Sequence, residues 1–242
     1  MSDEHSEEIN FWPAFGDSML SVILVLLLVL GAVYLVLGQK IKKAEDCQQQ
    51  FASGLLHVRR VSTSNVSGWE VFDPQTKQSI VSLRQDPHDK LLLHITFSES
   101  TLFADCDDSL GVKGQGVLRE IGQEIRNQAN SKVEIGILGH ADSRHIKRSK
   151  FCQFDDNLHL ASARADSVFL FLQNDVGISP TEHAMSATSY GEFFPANREI
   201  GKPYSDPQWE QANSTDELMQ KNRRVELLLR YGAQMAGCSA VK

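Results

Sequence analysis

Asp17 is the residue whose position most directly raises a question of chemistry. It lies in Phe11-Trp12-Pro13-Ala14-Phe15-Gly16-Asp17-Ser18-Met19-Leu20, just before a charge-free run from Ser18 to Gln39. As a helix, at about 1.5 Å per residue, that run reaches roughly 33 Å, enough to cross a hydrocarbon core of about 30 Å. The aromatic residues before it suit a membrane interface, and Pro13 suits a helix start. A carboxylate about one turn inside a membrane is costly unless it is neutralised or faces a polar cavity. Asp17 is therefore a candidate ion carrier, with Ser21 one turn on and on the same face. The plainer alternative is an interfacial aspartate that snorkels to water near the positive end of the helix.

Other chemistries find less support. His140, His145, His159 and Cys152 fall in one region, but their spacings match no standard zinc pattern, so no metal is expected. No nucleophile and base stand in a recognisable arrangement, so neither enzymatic activity nor a cofactor is expected. The formal net charge of −7 argues against nucleic acid as a partner. The four cysteines (Cys47, Cys106, Cys152, Cys238) include no CxxC and suit either redox compartment.

The 242 residues suffice for one good-sized domain plus accessories. The competing reading of the apolar run is a cleaved signal peptide. It is disfavoured by the run's length, by acidic Asp3, Glu4, Glu7 and Glu8 where a basic region belongs, and by the poor cleavage site Gly38-Gln39-Lys40. We expect a tail over 1–14, a transmembrane helix over 15–38, a solvated stalk and linker over 39–68 and a hairpin extension over 69–90, turning at Asp73–Lys77. Lys40, Lys42 and Lys43 follow the run and no Lys or Arg precedes it, which taken alone points the C-terminus into the cytoplasm.

From Leu91 an α/β pattern begins. Leu91–Phe97 reads as a strand and Val117, Leu118, Ile121 and Ile125 as a helix face. Val133–Leu138 reads as a strand, Leu158, Ala161, Ala165, Val168 and Leu172 as a helix face, and Ala184–Ser189 and Arg224–Tyr231 as strands. The order β-α-β-α-β-β implies a small sheet covered by helices over 91–231, followed by a tail over 232–242. Asn157 and Arg164 lie two helical turns apart and share a face. Asn157 could instead be only a helix N-cap, and Asp142 and Arg164 only a structural ion pair. Arg223 and Arg224 alternate across a strand, one towards a pocket and one towards solvent.

Four segments carry a resemblance: Gly139-His140-Ala141-Asp142, Asn157-Leu158-His159-Leu160-Ala161-Ser162-Ala163-Arg164-Ala165, Tyr190-Gly191-Glu192 and Asn222-Arg223-Arg224-Val225-Glu226. In this order they resemble the OmpA C-terminal family, the peptidoglycan-binding domain of outer-membrane proteins, Pal lipoproteins and MotB-type stator subunits. The resemblance covers about Leu91 to Tyr231. It departs from the family at Ala161, where serine is usual, and in the long loops 143–156 and 195–221. It implies that Asp142 holds the ammonium and Arg164 a carboxylate of the diaminopimelate in the peptidoglycan stem, the latter by a two-pronged hydrogen bond. Asn157 and Arg223 are expected beside them.

A Trp, an Asp five residues later, one span, a stalk and such a domain resemble the layout of MotB-type stator subunits. The wording around Asp17 is most similar to ZorB, the MotB-like subunit of Zorya anti-phage systems. The resemblance implies an inner-membrane homodimer with a cytoplasmic N-terminus and a periplasmic C-terminal domain, against the lysine count. It also implies a surrounding ring of MotA-like multi-span partners, Asp17 carrying H⁺ or Na⁺, and anchorage to peptidoglycan. The alternatives are a flagellar-type stator subunit or a passive wall tether without ion transport. In an OmpA-like order the first two strands are parallel, so Cys106 and Cys152 reach one rim and are expected to bridge. Cys47 could pair with its twin in a dimer, and Cys238 has no evident partner.

Overall fold

The computed structural model describes residues 12–63, 66–128, 133–199, 201–232 and 238. Most of both expected tails lies outside them. The chain divides into two units, Met1–Lys42 and Lys43–Lys242.

The described part of the first unit is helical. Helix α1 runs from Trp12 to Gly54, and among the described residues it is the one helix long and apolar enough to cross a membrane. Its apolar side chains between Met19 and Leu37 are exposed on every side. That distribution suits a lipid solvent, since water would penalise each of them.

The second unit begins inside the same helix. Ala44, Cys47, Phe51 and Ala52, with Leu55 just beyond, are buried in the core. Their spacing is that of a helix face, and Gln48, also buried, donates to the Lys90 carbonyl at 3.1 Å. The expected solvated stalk is therefore corrected here: its polar letters hide an apolar stripe that packs into the domain. The expected linker is corrected as well. Strands β1 (Val58–Thr63) and β2 (Val66–Phe72) pair antiparallel across it. Strand β3 (Ser79–Gln85) pairs with β2, and Asp73 fixes the turn between them by accepting from the Gln75 and Thr76 amides at 2.8 and 3.0 Å.

The remaining elements are β4 (Leu92–Ser98), the short α2 (Glu99–Leu102), α3 (Val112–Asn127), β5 (Val133–His140), α4 (Asn157–Asn174), β6 (Met185–Gly191), α5 (Asp206–Ala212), α6 (Asp216–Asn222) and β7 (Arg224–Tyr231). One seven-stranded sheet has the order β1-β2-β3-β4-β7-β5-β6. The hairpin extension therefore continues the sheet, and the expected loop 195–221 contains two helices. Both β4 and β5 are antiparallel to β7, which lies between them, so they run parallel to each other. Their C-terminal ends, and the segments leaving them, emerge at one edge of the sheet.

Alternation in the strands sends Leu93, Ile95, Phe97, Ile135, Ile137, Val225, Leu227 and Leu229 into one core with Leu118, Ile121 and Ile125 of α3 and Val168 and Leu172 of α4. Each such side chain contributes about 1.5–3 kcal/mol through burial. Gly139 sets how closely α4 approaches β5. A Cβ there would come within 1.9 Å of the Ala161 carbonyl oxygen, so Gly139→Ala would force the helix off the strand just where the charged site lies.

Candidate functional site

The end of β4, the end of β5, the start of α4 and the start of β7 bring a set of charges together. Asp142 and Arg164 are both buried, 4 % and 3 % exposed. They are not a direct ion pair. Arg164 meets Glu99 through one terminal nitrogen, donates to the Asp107 carbonyl at 2.9 Å and the Ala104 carbonyl at 3.1 Å, and lies over the Phe103 ring. Arg223 joins the two halves, donating to Glu99 and to Asp142. Asp142 also accepts from the Arg144 side chain at 2.8 Å and the Arg144 amide at 3.0 Å. The result is an alternating chain, Arg164–Glu99–Arg223–Asp142–Arg144, with three cations and two anions. Buried charges persist only when paired in this way, and Arg144 and Arg223 remain accessible at the rim, at 56 % and 24 % side-chain exposure.

Asn157 is buried, and its side-chain amide donates to the Asp142 carbonyl at 3.0 Å, the Arg144 carbonyl at 2.9 Å and the Glu192 carboxylate at 2.6 Å. It fixes the loop after β5 to the start of α4. It is not the N-cap. That role belongs to Asp156, which accepts from the His159 amide. The expectation for Arg224 is also corrected: it is buried, not turned to solvent. It donates to Glu226 and to the carbonyls of Phe194 and Asn222, which cover that face of the sheet at this point. Glu99 and Arg144, central to the site, were missed in the sequence reading. The available signal was position alone: Glu99 directly follows β4, and Arg144 lies two residues after Asp142.

The cysteines tie the rim together. Cys106 and Cys152 are paired, with Cα atoms 5.3 Å apart, and so are Cys47 and Cys238. Cys47 is therefore satisfied within its own chain, which corrects the pairing with a twin. The Cys106–Cys152 bridge connects the turn whose carbonyls hold Arg164 to the loop that carries Arg144. Closing a loop of 46 residues stabilises the fold by about 4 kcal/mol in chain-entropy terms. Protein purified with its thiols blocked should yield both bridged peptides in non-reducing mass spectrometry and run as a monomer on a non-reducing gel. Alkylated Cys106 and Cys152 would refute the bridge, and a covalent dimer would return Cys47 to its twin.

The other face of the sheet holds a second polar group. His94 lies between Asp86 and Glu226, at 3.0 and 3.4 Å. Burial pushes its pKa down, but the two carboxylates outweigh burial and raise it above 6.5. His140 is buried against Tyr190, and burial together with Arg224 pushes its pKa down to about 3. The two histidines act on opposite sides of neutrality. Stability from His94 is full below pH 6.5 and is lost as pH rises through its raised pKa. Below pH 6.5 the unfolded chain protonates at His140 and the folded chain does not, which costs up to about 1.4 kcal/mol per pH unit down towards pH 3. Thermal melts across pH should therefore peak near neutrality. His94→Gln should flatten the alkaline limb and His140→Phe the acid limb; unchanged limbs would refute these assignments.

Residues 102–202 match the OmpA family. The periplasmic domain of MotB from Helicobacter pylori superposes with a TM-score of 0.50 at 20 % identity, covering 67 % of this chain and 85 % of that one. A MotB-like protein from Desulfovibrio vulgaris gives 0.49 at 23 %, covering 63 % and 82 %. In sequence, the uncharacterized protein YtxE of Bacillus subtilis is 23 % identical over 244 residues, 95 % of this chain and 92 % of that protein. The fold is thus α/β: one N-terminal apolar helix and an OmpA-like domain resembling the periplasmic domains of MotB proteins.

Proposed function

We propose that the chain is the B subunit of an ion-driven motor in the bacterial inner membrane, anchored to peptidoglycan by its OmpA-like domain. The observation that carries this reading is the presence, in one chain, of Asp17 at the head of the apolar part of α1 and of a charged, part-buried site on an OmpA-like domain. A passive tether needs the second and has no use for the first.

In this reading the N-terminus is cytoplasmic and the domain periplasmic, where both disulfides can form. Two copies stand inside a ring of MotA-like multi-span subunits. Asp17 alternates between protonated and charged, or binds Na⁺, and each change alters its attraction to the ring and drives a step. The Ser21 hydroxyl donates to the Asp17 backbone carbonyl at 2.9 Å. Ser21 thus braces the helix turn under Asp17, and its hydroxyl can turn to an ion passing that carboxylate. At the wall, the ligand's carboxylate takes up the outward donors of Arg223, which Arg164 positions from behind through Glu99, and its ammonium takes up Asp142 in place of Arg144. The similarity of the residues around Asp17 to ZorB supports a role in anti-phage defence; a flagellar-type stator is the alternative.

The test is co-sedimentation of the detergent-solubilised full chain with purified peptidoglycan, together with co-purification of a multi-span partner encoded beside it. Binding and co-purification are expected. Binding without such a partner would favour the passive tether, and absence of binding would remove the anchor.

A further inference from the structure

The charged row at the pocket holds one more cation than its anions need. Arg164, Glu99, Arg223 and Asp142 balance as two cations and two anions. Arg144 is the fifth charge, at the open end of the row. Asp142 is partnered without that side chain. Arg223 donates to the same oxygen, Oδ2, and the Arg144 backbone amide donates to Oδ1 at 3.0 Å. Arg223 alone therefore makes burial of the Asp142 carboxylate tolerable, and the Arg144 guanidinium is surplus to the fold.

Its position gives it another task. The Asp142 side chain is 5 % exposed and that of Arg144 56 %, so the exposed member of the pair is the guanidinium. The backbone beneath it is fixed at both polar groups, the amide by Asp142 and the carbonyl by Asn157 at 2.9 Å. Only the side chain can swing away, and it returns to a carboxylate that Arg223 holds in place. A group tethered by a few bonds competes at an effective concentration of about millimolar or more. Nor does Arg144 take Asp142 for want of other acids. Asp105, Asp107 and Asp108 flank Cys106, which the bridge to Cys152 holds beside this loop. Among the described residues Arg144 nevertheless makes its ion pair with Asp142. Asp107 accepts from the Ser109 amide at 2.8 Å, Asp155 faces Arg148, and Asp156 caps α4.

We propose that Arg144 is a built-in competitor for the anchoring pocket. Its guanidinium occupies the place on Asp142 that the ligand's ammonium takes, so that two cations contend for one carboxylate. The inference rests on the wall-anchoring reading above and adds how the grip is regulated. The ligand displaces Arg144 on binding, and Arg144 displaces the ligand on release. The consequence is the opposite of that expected for a ligand contact: removing this cation strengthens binding.

The experiment compares the full chain in detergent with its Arg144→Ala variant by two measurements. The first is the rate at which a water-soluble carbodiimide couples glycinamide to Asp142, followed by peptide mass spectrometry. The second is co-sedimentation with purified peptidoglycan. In Arg144→Ala, Asp142 should be amidated several-fold faster. Asp73, buried in a remote turn and paired with Lys113, should react at an unchanged rate. Peptidoglycan should bind about two- to fivefold more tightly, the range that loss of one exposed ion pair allows. Unchanged amidation of Asp142 overturns the proposal, because Arg144 then does not cover the carboxylate. Faster amidation with equal or weaker binding also overturns it and makes Arg144 a bystander or a ligand contact. Absence of binding by both chains would instead refute the wall-anchoring reading. In that case faster amidation still upholds Arg144 as the bar to amines at Asp142, and unchanged amidation overturns it. Should Asp73 also quicken, marking a loosened fold, Arg144→Gln takes the place of Arg144→Ala under the same criteria.

Discussion

Asp17→Asn should yield a chain that inserts and assembles normally and transports no ions. The substitution keeps the size of the side chain and removes its ability to titrate. In cells that express the chain with its multi-span partner, ion entry should fall to background. It can be followed with a pH-sensitive fluorescent protein for H⁺ or radioactive sodium for Na⁺. The effect is all-or-none because a neutral amide offers no exchangeable charge at a position where charge is otherwise prohibitively costly. Ser21→Ala should give a partial loss, since Ser21 only neighbours the carrier. Undiminished ion entry with Asp17→Asn would leave Asp17 an interfacial residue and the chain a tether.

Asp142→Asn should reduce co-sedimentation with peptidoglycan at least tenfold. It removes one charge-assisted contact, worth about 1.5–3 kcal/mol, and preserves the side-chain volume between Arg223 and Arg144. The arginine side of the pocket needs a gentler probe. Arg164→Ala would leave Glu99 facing a cavity, and Glu99→Ala would leave Arg164 and Arg223 short of their counter-ion. Each breaks a buried pair at about 3–5 kcal/mol and threatens the fold itself. Arg164→Lys keeps the charge but cannot hold Glu99 and two carbonyls from one planar group. It should lose binding and melt below the unaltered chain but above Arg164→Ala, because the charge stays while the Ala104 and Asp107 carbonyls lose their donor. Full binding by both Asp142→Asn and Arg164→Lys would place the anchor elsewhere.

The sequence alone determined whatever depends on local period and composition. The charge-free run gives a helix long and apolar enough to cross a membrane because every turn of it is apolar. Ile121 and Ile125 mark α3, and Arg224–Tyr231 marks β7 to the residue, because side-chain period follows directly from backbone geometry. Asp142, Asn157, Arg164 and Arg223 were legible as one set only through their motifs and order, and the structure gathers them at one edge of the sheet. It alone decided their partners. Arg223 reaches Glu99 across 124 residues and Asp142 across 81, and Cys47 meets Cys238 across 191. Nothing in the local pattern of either partner encodes such a meeting. It follows from strand order, with β7 inserted between β4 and β5, so that residues remote in sequence share one edge of the sheet. The stalk was misread for the same reason. Ala44, Cys47, Phe51 and Ala52 form a short apolar stripe among glutamines and charges, and only the domain packed against that stripe shows which face of the helix is inside.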